Sequence, residues 1–368
     1  MGGGSPPVVP KQHKAIIYDN PGAVSTKVVD IDTPTPGPGE VLVNLTHSGV
    51  CHSDYGVMTN SWRILPAPTP QGQIGGHEGV GRVVRLGPGA DTTGIKIGDR
   101  VGVKWIASAC GRCAPCLVRQ DGVCMNQRVS GYYHPGTFQQ YVLGPAAYVT
   151  PIPDGIESVD AAPLLCAGVT VYSALLKSEA KPGQWVVIPG AGGGLGHLAC
   201  QLGARALGMR IIGIDHGSKE NLVKDSGAEH FVDLTEFSKD EEMAAHIKSL
   251  TDDGLGAHAV VVCTASNRAY AQSITFLRFS GTVVCVGMPE GDMVPIATAK
   301  PSLIVTKQYR IVGSAVGNQH EAIEVMKFGA RGIVKAYSEV RKMEDLTQTF
   351  KDMHEGKLHG RVVLDLSS

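Results

Sequence analysis

Cys110, Cys113, Cys116 and Cys124 follow one another at spacings of three, three and eight residues. Zn²⁺ takes four tetrahedral ligands, and four thiolates make a closed structural site. Two-residue gaps let successive sulfurs converge while the backbone turns around the ion. An iron–sulfur cluster is the rival reading, but its usual runs are spaced differently and carry a proline after the last cysteine. Here Met125 follows. A structural zinc is expected.

Three more places carry soft or imidazole donors: Cys51-His52-Ser53-Asp54, Gly76-His77-Glu78 and Cys166-Ala167-Gly168. Two cysteines and a histidine with an open fourth position are one of the catalytic zinc ligand sets. Taken singly, His77 and Cys166 read as ordinary packing residues. Their weight comes from a third motif. Trp185–Pro189 leads into Gly190-Ala191-Gly192-Gly193-Gly194-Leu195-Gly196 and then a helix-like stretch. A strand, a glycine turn and a helix receive a pyrophosphate on backbone N–H groups. The spacing Gly190, Gly193, Gly196 is one residue longer than the usual dinucleotide fingerprint. The next strand nevertheless ends at Asp215, where an acid accepts ribose hydroxyls and repels a 2′-phosphate. NAD is therefore expected rather than NADP.

The elements that must hold these motifs change texture along the chain. Up to about residue 165 the sequence reads as short strands broken by Gly and Pro, among them Lys14–Tyr18, Glu40–Leu45, Gly79–Leu86 and Arg100–Trp105, with little helical periodicity. Beyond Ala167 strands and helices alternate: Trp185–Pro189, Arg210–Asp215, His230–Asp233, His258–Cys263, Gly281–Val286 and Tyr309–Gly313. That alternation indicates a doubly wound parallel sheet. Two helices, Gln319–Phe328 and Met343–Glu355, and a strand, Gly360–Leu366, close the chain.

Length and composition fit this reading. The 368 residues favour two domains, and 47 glycines are roughly twice the average usage. Thirty-three basic against 34 acidic residues leave a net charge of −1, so a nucleic-acid partner is not expected and a zinc-finger reading fails. No uninterrupted apolar run reaches about 18 residues, so no membrane partner is expected. The nine cysteines, odd in number and clustered, do not form a secreted disulfide framework. Residues 1–12, rich in Gly and Pro, read as poorly ordered and carry no targeting signal, which makes the cytoplasm the expected location.

From about Lys14 to the C-terminus the chain resembles the zinc-dependent medium-chain alcohol dehydrogenases, especially the yeast and fungal ethanol-type branch. The resemblance rests on Gly49-Val50-Cys51-His52-Ser53-Asp54, Gly76-His77-Glu78-Gly79, the four-cysteine loop, Ser130-Gly131-Tyr132, Phe138-Gln139-Gln140-Tyr141, Leu165-Cys166-Ala167-Gly168 and Val286-Gly287-Met288-Pro289. It implies an α/β protein. A β-rich GroES-like catalytic domain would take residues 1–166 and 317–368, and a Rossmann coenzyme domain residues 167–316.

It further implies that Cys51, His77 and Cys166 hold a catalytic zinc, with Glu78 beside it and Asp54 orienting a histidine ligand. Ser53 would take the alcohol's proton, and His52 and Arg361 would meet the pyrophosphate. Thr170 and Val286 would lie near the nicotinamide, Gly190, Gly193, Gly194, Leu195 and Gly196 along the phosphates, and Asp215 and Lys219 at the adenosine ribose. Trp62, Trp105 and Met288 would line the substrate pocket. The implied reaction is reversible oxidation of a primary alcohol: zinc stabilises the alkoxide and NAD takes the hydride. A homo-oligomer, a tetramer before a dimer, is the implied assembly.

Two departures stand out. The family usually carries a histidine five residues after the first zinc cysteine, as the outer end of its proton relay; this chain has Gly56. The segment 55–70 also differs from the yeast pattern. An aromatic or allylic alcohol in a fungal specialised pathway is therefore the rival substrate class. A non-catalytic zinc- and nucleotide-binding protein is the rival function.

Overall fold

A computed structural model describes residues 8–63, 65–290 and 293–367. Most of the Gly- and Pro-rich opening, residues 1–7, lies outside them. The chain forms two compact units. The first takes residues up to Cys166, Asn318–Ala330 and those from Tyr337 on; the second takes Ala167–Gly317 and Arg331–Ala336. Gly317 and the segment 331–336 thus group with the second unit, whereas the bounds drawn from the sequence assign them to the first.

The first unit is built on a seven-stranded sheet whose long central strand, Glu40–Val50, pairs antiparallel with Gly79–Leu86, Tyr141–Pro145 and Arg361–Asp365. Valine and leucine at alternate positions bury one face over a core that includes Phe138 and Phe350. Register has a direct consequence. Ser48 lies opposite Gly79, and Val50 opposite Val362. Cys51, Glu78 and Arg361, each one residue further on, therefore meet at one end of the sheet. A separate two-stranded ribbon, Ile106–Ser108 with Arg128–Val129, frames the cysteine loop.

The second unit is a six-stranded parallel sheet in the order His230–Asp233, Arg210–Asp215, Trp185–Pro189, Ala257–Val262, Leu277–Cys285, Arg310–Gly313. This is the 3-2-1-4-5-6 order of a dinucleotide-binding fold. Trp185–Pro189 is buried throughout, as a central parallel strand must be.

Several elements escape the periodicity of the sequence. His52–Thr59 is a helix in the half that reads as strand and loop, and Asp240–Ser249 and Pro301–Lys307 are helices in the other. A 20-residue helical stretch, Ser158–Lys177, is long and apolar enough to cross a membrane by length and composition alone. This corrects the expectation that no such stretch exists: Asp160 interrupts the run without ending the helix. Its most apolar window is 78% buried inside the protein, as a core helix would be.

One polar group is buried in the first unit at some cost. Lys104, 3% exposed, donates from Nζ to the Tyr148 carbonyl at 3.0 Å and lies 3.8 Å above that ring. The Tyr148 hydroxyl donates to Asp121, whose Oδ2 also accepts the Gln319 N–H at 3.0 Å. Burial pushes the Lys104 amine down to about 7, with Asp121 partly opposing it. An unfolded lysine titrates at about 10.4. Between those values the unfolded chain binds the extra proton, so this group makes stability rise with pH. Urea unfolding from pH 7 to 10 should show wild type gaining on Lys104→Met as pH increases; a constant difference contradicts the buried neutral amine.

Candidate active site

The first unit brings Cys51, His77, Glu78 and Cys166 together, all buried, with one donor atom of each within 4.8 Å of the others. Cys51 is the N-cap of helix His52–Thr59, and Asp54 closes a capping box by accepting the Cys51 N–H through Oδ2 at 2.9 Å. The other carboxylate oxygen accepts from His77 Nδ1 at 2.8 Å and from the Gly76 N–H at 3.2 Å. One aspartate thus fixes the backbone of the first ligand and the ring of the second. With Nδ1 committed, His77 turns Nε2 toward Cys166 Sγ, 3.3 Å away. Cys166 itself sits in a π-helical turn, Leu164–Gly168, directly after Pro163. A proline lacks the N–H that would continue the regular ladder, and such turns recur at functional sites.

These donors fit a cation. Tetrahedral zinc with sulfur at about 2.3 Å separates two sulfurs by about 3.8 Å; Cys51 and Cys166 sulfurs are 3.9 Å apart. Cys51 is held well below the ordinary thiol value, first by the hydrogen bond shared with Cys166. Cys166 is pushed well above it by the same bond and by burial. Two buried thiols cannot both ionise without a positive charge between them. Burial also pushes the Glu78 carboxyl up to about 7, opposed by Arg361. One Glu78 oxygen accepts from Arg361 Nη2, while Oε2 is buried with no hydrogen-bond partner. An orphaned carboxylate oxygen beside thiols is what a bound cation would satisfy.

The second cluster follows the same logic. Cys110, Cys113, Cys116 and Cys124 share a region within 4.8 Å, with Cys113 Sγ 3.5 Å from Cys116 and 3.7 Å from Cys124. All nine cysteines are free thiols. The Cys110 and Asn126 N–H groups donate to Cys124 Sγ at 3.3 and 3.4 Å. Backbone donation, first from Arg112, pulls Cys110 down to about 6, whereas burial and Cys113 push Cys116 up to about 12. The four sulfurs fit a single zinc.

Around the first cluster, Ser53 Oγ lies 3.6 Å from Cys51 Sγ. Trp105 packs edge-on to His77 with centroids 4.9 Å apart, and Trp62 packs edge-on to Trp105 at 6.0 Å. His52 is exposed on the first turn of its helix. Arg361 is turned inward, only 6% exposed and paired with Glu78, with Nε buried and unpartnered. The segment after the helix is pinned rather than loose. Thr69 donates to the Val57 carbonyl at 2.6 Å, Tyr132 to Ala67 at 2.8 Å and Tyr133 to Pro68 at 2.7 Å.

In the second unit, the turn after Trp185–Pro189 begins at Gly190 with φ +79°, and Gly193 N donates back to Gly190 O at 3.0 Å. A Cβ on Gly196 would fall 2.0 Å from Gly190 O, so only glycine allows the helix to start there. Asp215, at the end of its strand, accepts from Gly192 N at 2.8 Å and His216 N at 2.9 Å, and pairs with Lys219 at 3.5 Å. Leu195 and Gly194 complete the turn before helix Gly196–Gln201. Thr170 is 9% exposed in the first turn of Val169–Lys177. Val286 N donates to the Tyr270 hydroxyl at 3.2 Å, and Met288, two residues on, is 40% exposed.

Sequence reasoning missed two supports. His197, fully buried, bonds the Gly193 carbonyl at 2.8 Å, and Tyr270 clamps the Val286–Gly287 turn. The first is an ordinary four-residue helical spacing at the start of Gly196–Gln201, whereas the second needs the fold to bring residues 270 and 286 together.

Asp54→Asn is expected to lower zinc affinity about 10–100-fold, because the ring and the backbone of two ligands lose their common anchor. Competition with a metal chelator measures it, and unchanged affinity would contradict the assignment.

Known proteins match this architecture. Residues 37–154 match the alcohol dehydrogenase GroES-like domain, and residues 194–331 the zinc-binding dehydrogenase domain. Alcohol dehydrogenase 2 of Emericella nidulans is 67% identical over 364 residues, covering 98% of this chain and 99% of its own. The alcohol dehydrogenase of Schizosaccharomyces pombe is 42% identical over 358 residues, covering 97% and 98%. Acetophenone reductase from Geotrichum candidum, solved in complex with NAD, superposes with a TM-score of 0.82 at 27% identity over 98% of both chains. Its sequence, its two folds and its paired thiol clusters agree: the chain belongs to the zinc-binding alcohol dehydrogenase family, in the fungal branch.

Proposed function

We propose that this protein is an NAD-dependent zinc alcohol dehydrogenase that interconverts primary alcohols and aldehydes, with one catalytic and one structural zinc per subunit. The observation that carries the reading is the buried set of Cys51, His77 and Cys166, oriented by Asp54 and flanked by the orphaned oxygen of Glu78. A purely binding protein has no need of such a set. Zinc bound there would supply the Lewis acidity that lowers an alcohol's pKa, and bound NAD would supply the hydride acceptor.

The chain's own groups do the rest. Ser53 Oγ, beside Cys51, accepts the alcohol's proton as it releases its own hydroxyl proton to water or the cofactor ribose. Asp54 keeps a proton on His77 Nδ1 and so keeps Nε2 available as a ligand. Glu78, held by Arg361, stands beside the ligands to compensate charge when they exchange. Gly190, Gly193, Gly194, Leu195 and Gly196 offer backbone N–H groups to the pyrophosphate. Asp215 and Lys219 take the adenosine ribose, and Thr170, Val286 and Met288 the nicotinamide end. Trp62 and Trp105, in edge contact with each other, favour short alcohols over aromatic ones.

A homo-oligomer, a tetramer in the cytoplasm, extends this reading. Arg310–Gly313 is an edge strand whose outer side has no partner strand among the described residues, and Ile311 on it, Phe279 on the strand it pairs with and Val305 in the preceding helix are exposed. Free thiols in both clusters suit a reducing compartment.

Two measurements test the proposal. Purified protein should contain about two zinc ions per subunit and reduce NAD, not NADP, with ethanol and butan-1-ol ahead of cinnamyl and benzyl alcohol. Preference for the aromatic alcohols selects the rival substrate class, and no turnover by fully zinc-loaded protein removes the enzyme reading. Ile311→Lys should lower the assembly state by light scattering; an unchanged oligomer places the interface elsewhere.

A further inference from the structure

Gly56 lies in the middle of helix His52–Thr59, a position where glycine costs roughly 1 kcal/mol relative to alanine. The cost has a local cause. A Cβ at residue 56 would stand 2.8 Å from Trp62 Cδ1, 2.9 Å from Nε1 and 3.0 Å from Cγ. The indole therefore rests directly on the helix backbone, in the space any other residue would fill. No hydrogen bond holds it there, since its Nε1–H is buried and without a partner. Packing fixes the ring, which touches Gly56 and makes an edge contact with Trp105. Trp105 in turn packs against the ring of His77, 4.9 Å between centroids. The chain folds back to make this contact: Asn60 caps the helix at φ +56°, and Ser61 N donates to the Gly56 carbonyl at 3.1 Å.

We propose that Gly56 is a positioning residue for substrate specificity: the absence of a side chain there seats Trp62, and through it sets the width of the aromatic wall that ends at His77. The inference rests on the alcohol dehydrogenase reading above. It also revises the meaning of the missing relay histidine. A Cβ at 56 would displace the indole from where it rests, so Gly56→His tests the seating of Trp62 as much as any proton path.

The test is a double-mutant cycle of Gly56→Ala and Trp62→Leu in the zinc-loaded enzyme, read by two signals. Gly56→Ala displaces the indole that contacts Trp105, so kcat/KM for butan-1-ol relative to ethanol should change roughly tenfold, the scale of one misplaced methylene in an apolar pocket. Tryptophan emission and its quenching by acrylamide should change as well. In the Trp62→Leu background the same alanine should change neither signal. An unchanged ratio in Gly56→Ala, or an equal change in both backgrounds, overturns the proposal. If Gly56→Ala alone does not fold, Gly56→Ala with Trp62→Leu must restore folding, and failure of that rescue overturns it too. Wild type that turns over neither alcohol sinks the enzyme reading and the specificity role with it. The emission cycle still reports separately whether Gly56 seats the indole.

Discussion

The Asp54 carboxylate is the interaction on which the metal centre depends. It accepts from Cys51 N, Gly76 N and His77 Nδ1, three donors from two separate strand ends. Helix capping and ligand orientation are therefore one interaction seen from two sides. The helix His52–Thr59 starts where it does because Cys51 is its N-cap, and the N-cap residue is also a ligand. Buried without those donors, the carboxylate would be far too costly to desolvate. With them, it converts the end of a sheet into a rigid donor set.

Burial of charge recurs through the first unit and is resolved each time by a partner. Glu78 is fully buried and meets Arg361, brought to it from the far end of the sequence by antiparallel pairing of Arg361–Asp365 with Glu40–Val50. Lys104 meets a carbonyl, a ring and, at longer range, Asp121. What remains unresolved within the chain itself is the excess of thiol at two places. Cys51 and Cys166 pull each other's affinity for protons apart, and so do Cys113 and Cys116. Both conflicts have the same chemical remedy, a dication.

In the second unit the constraint is steric rather than electrostatic. The turn that follows Trp185–Pro189 lies so close to the start of its helix that Gly196 nearly touches the Gly190 carbonyl. Asp215 reaches back to the turn through Gly192 N, so the acid expected at a ribose also stiffens the loop expected at the phosphates. Positioning and binding again share the same atoms.

What the sequence determined by itself was the chemistry and the architecture. The four-cysteine spacing, the three ligand segments and the glycine turn followed by Asp215 are local patterns, and local patterns survive without knowledge of the fold. The parallel strands were legible for the same reason, since a buried strand is a continuous apolar run. The helix His52–Thr59 was not, because tertiary contacts rather than an amphipathic stripe hold it, with Asp54, Tyr55, Gly56, Val57 and Met58 all buried in succession. Nor was the apolar helix through Cys166, whose interruption by Asp160 and Pro163 hid its length. Only the tertiary structure could show that Arg361 turns inward to Glu78, that Tyr270 clamps the Val286–Gly287 turn, and that the Trp62 indole occupies the space a Cβ at Gly56 would take. Those facts concern atoms brought together from distant positions, or across a turn whose path no spacing rule fixes. Residue types state what a group can do, whereas the packing of the whole unit decides which neighbour it does it to.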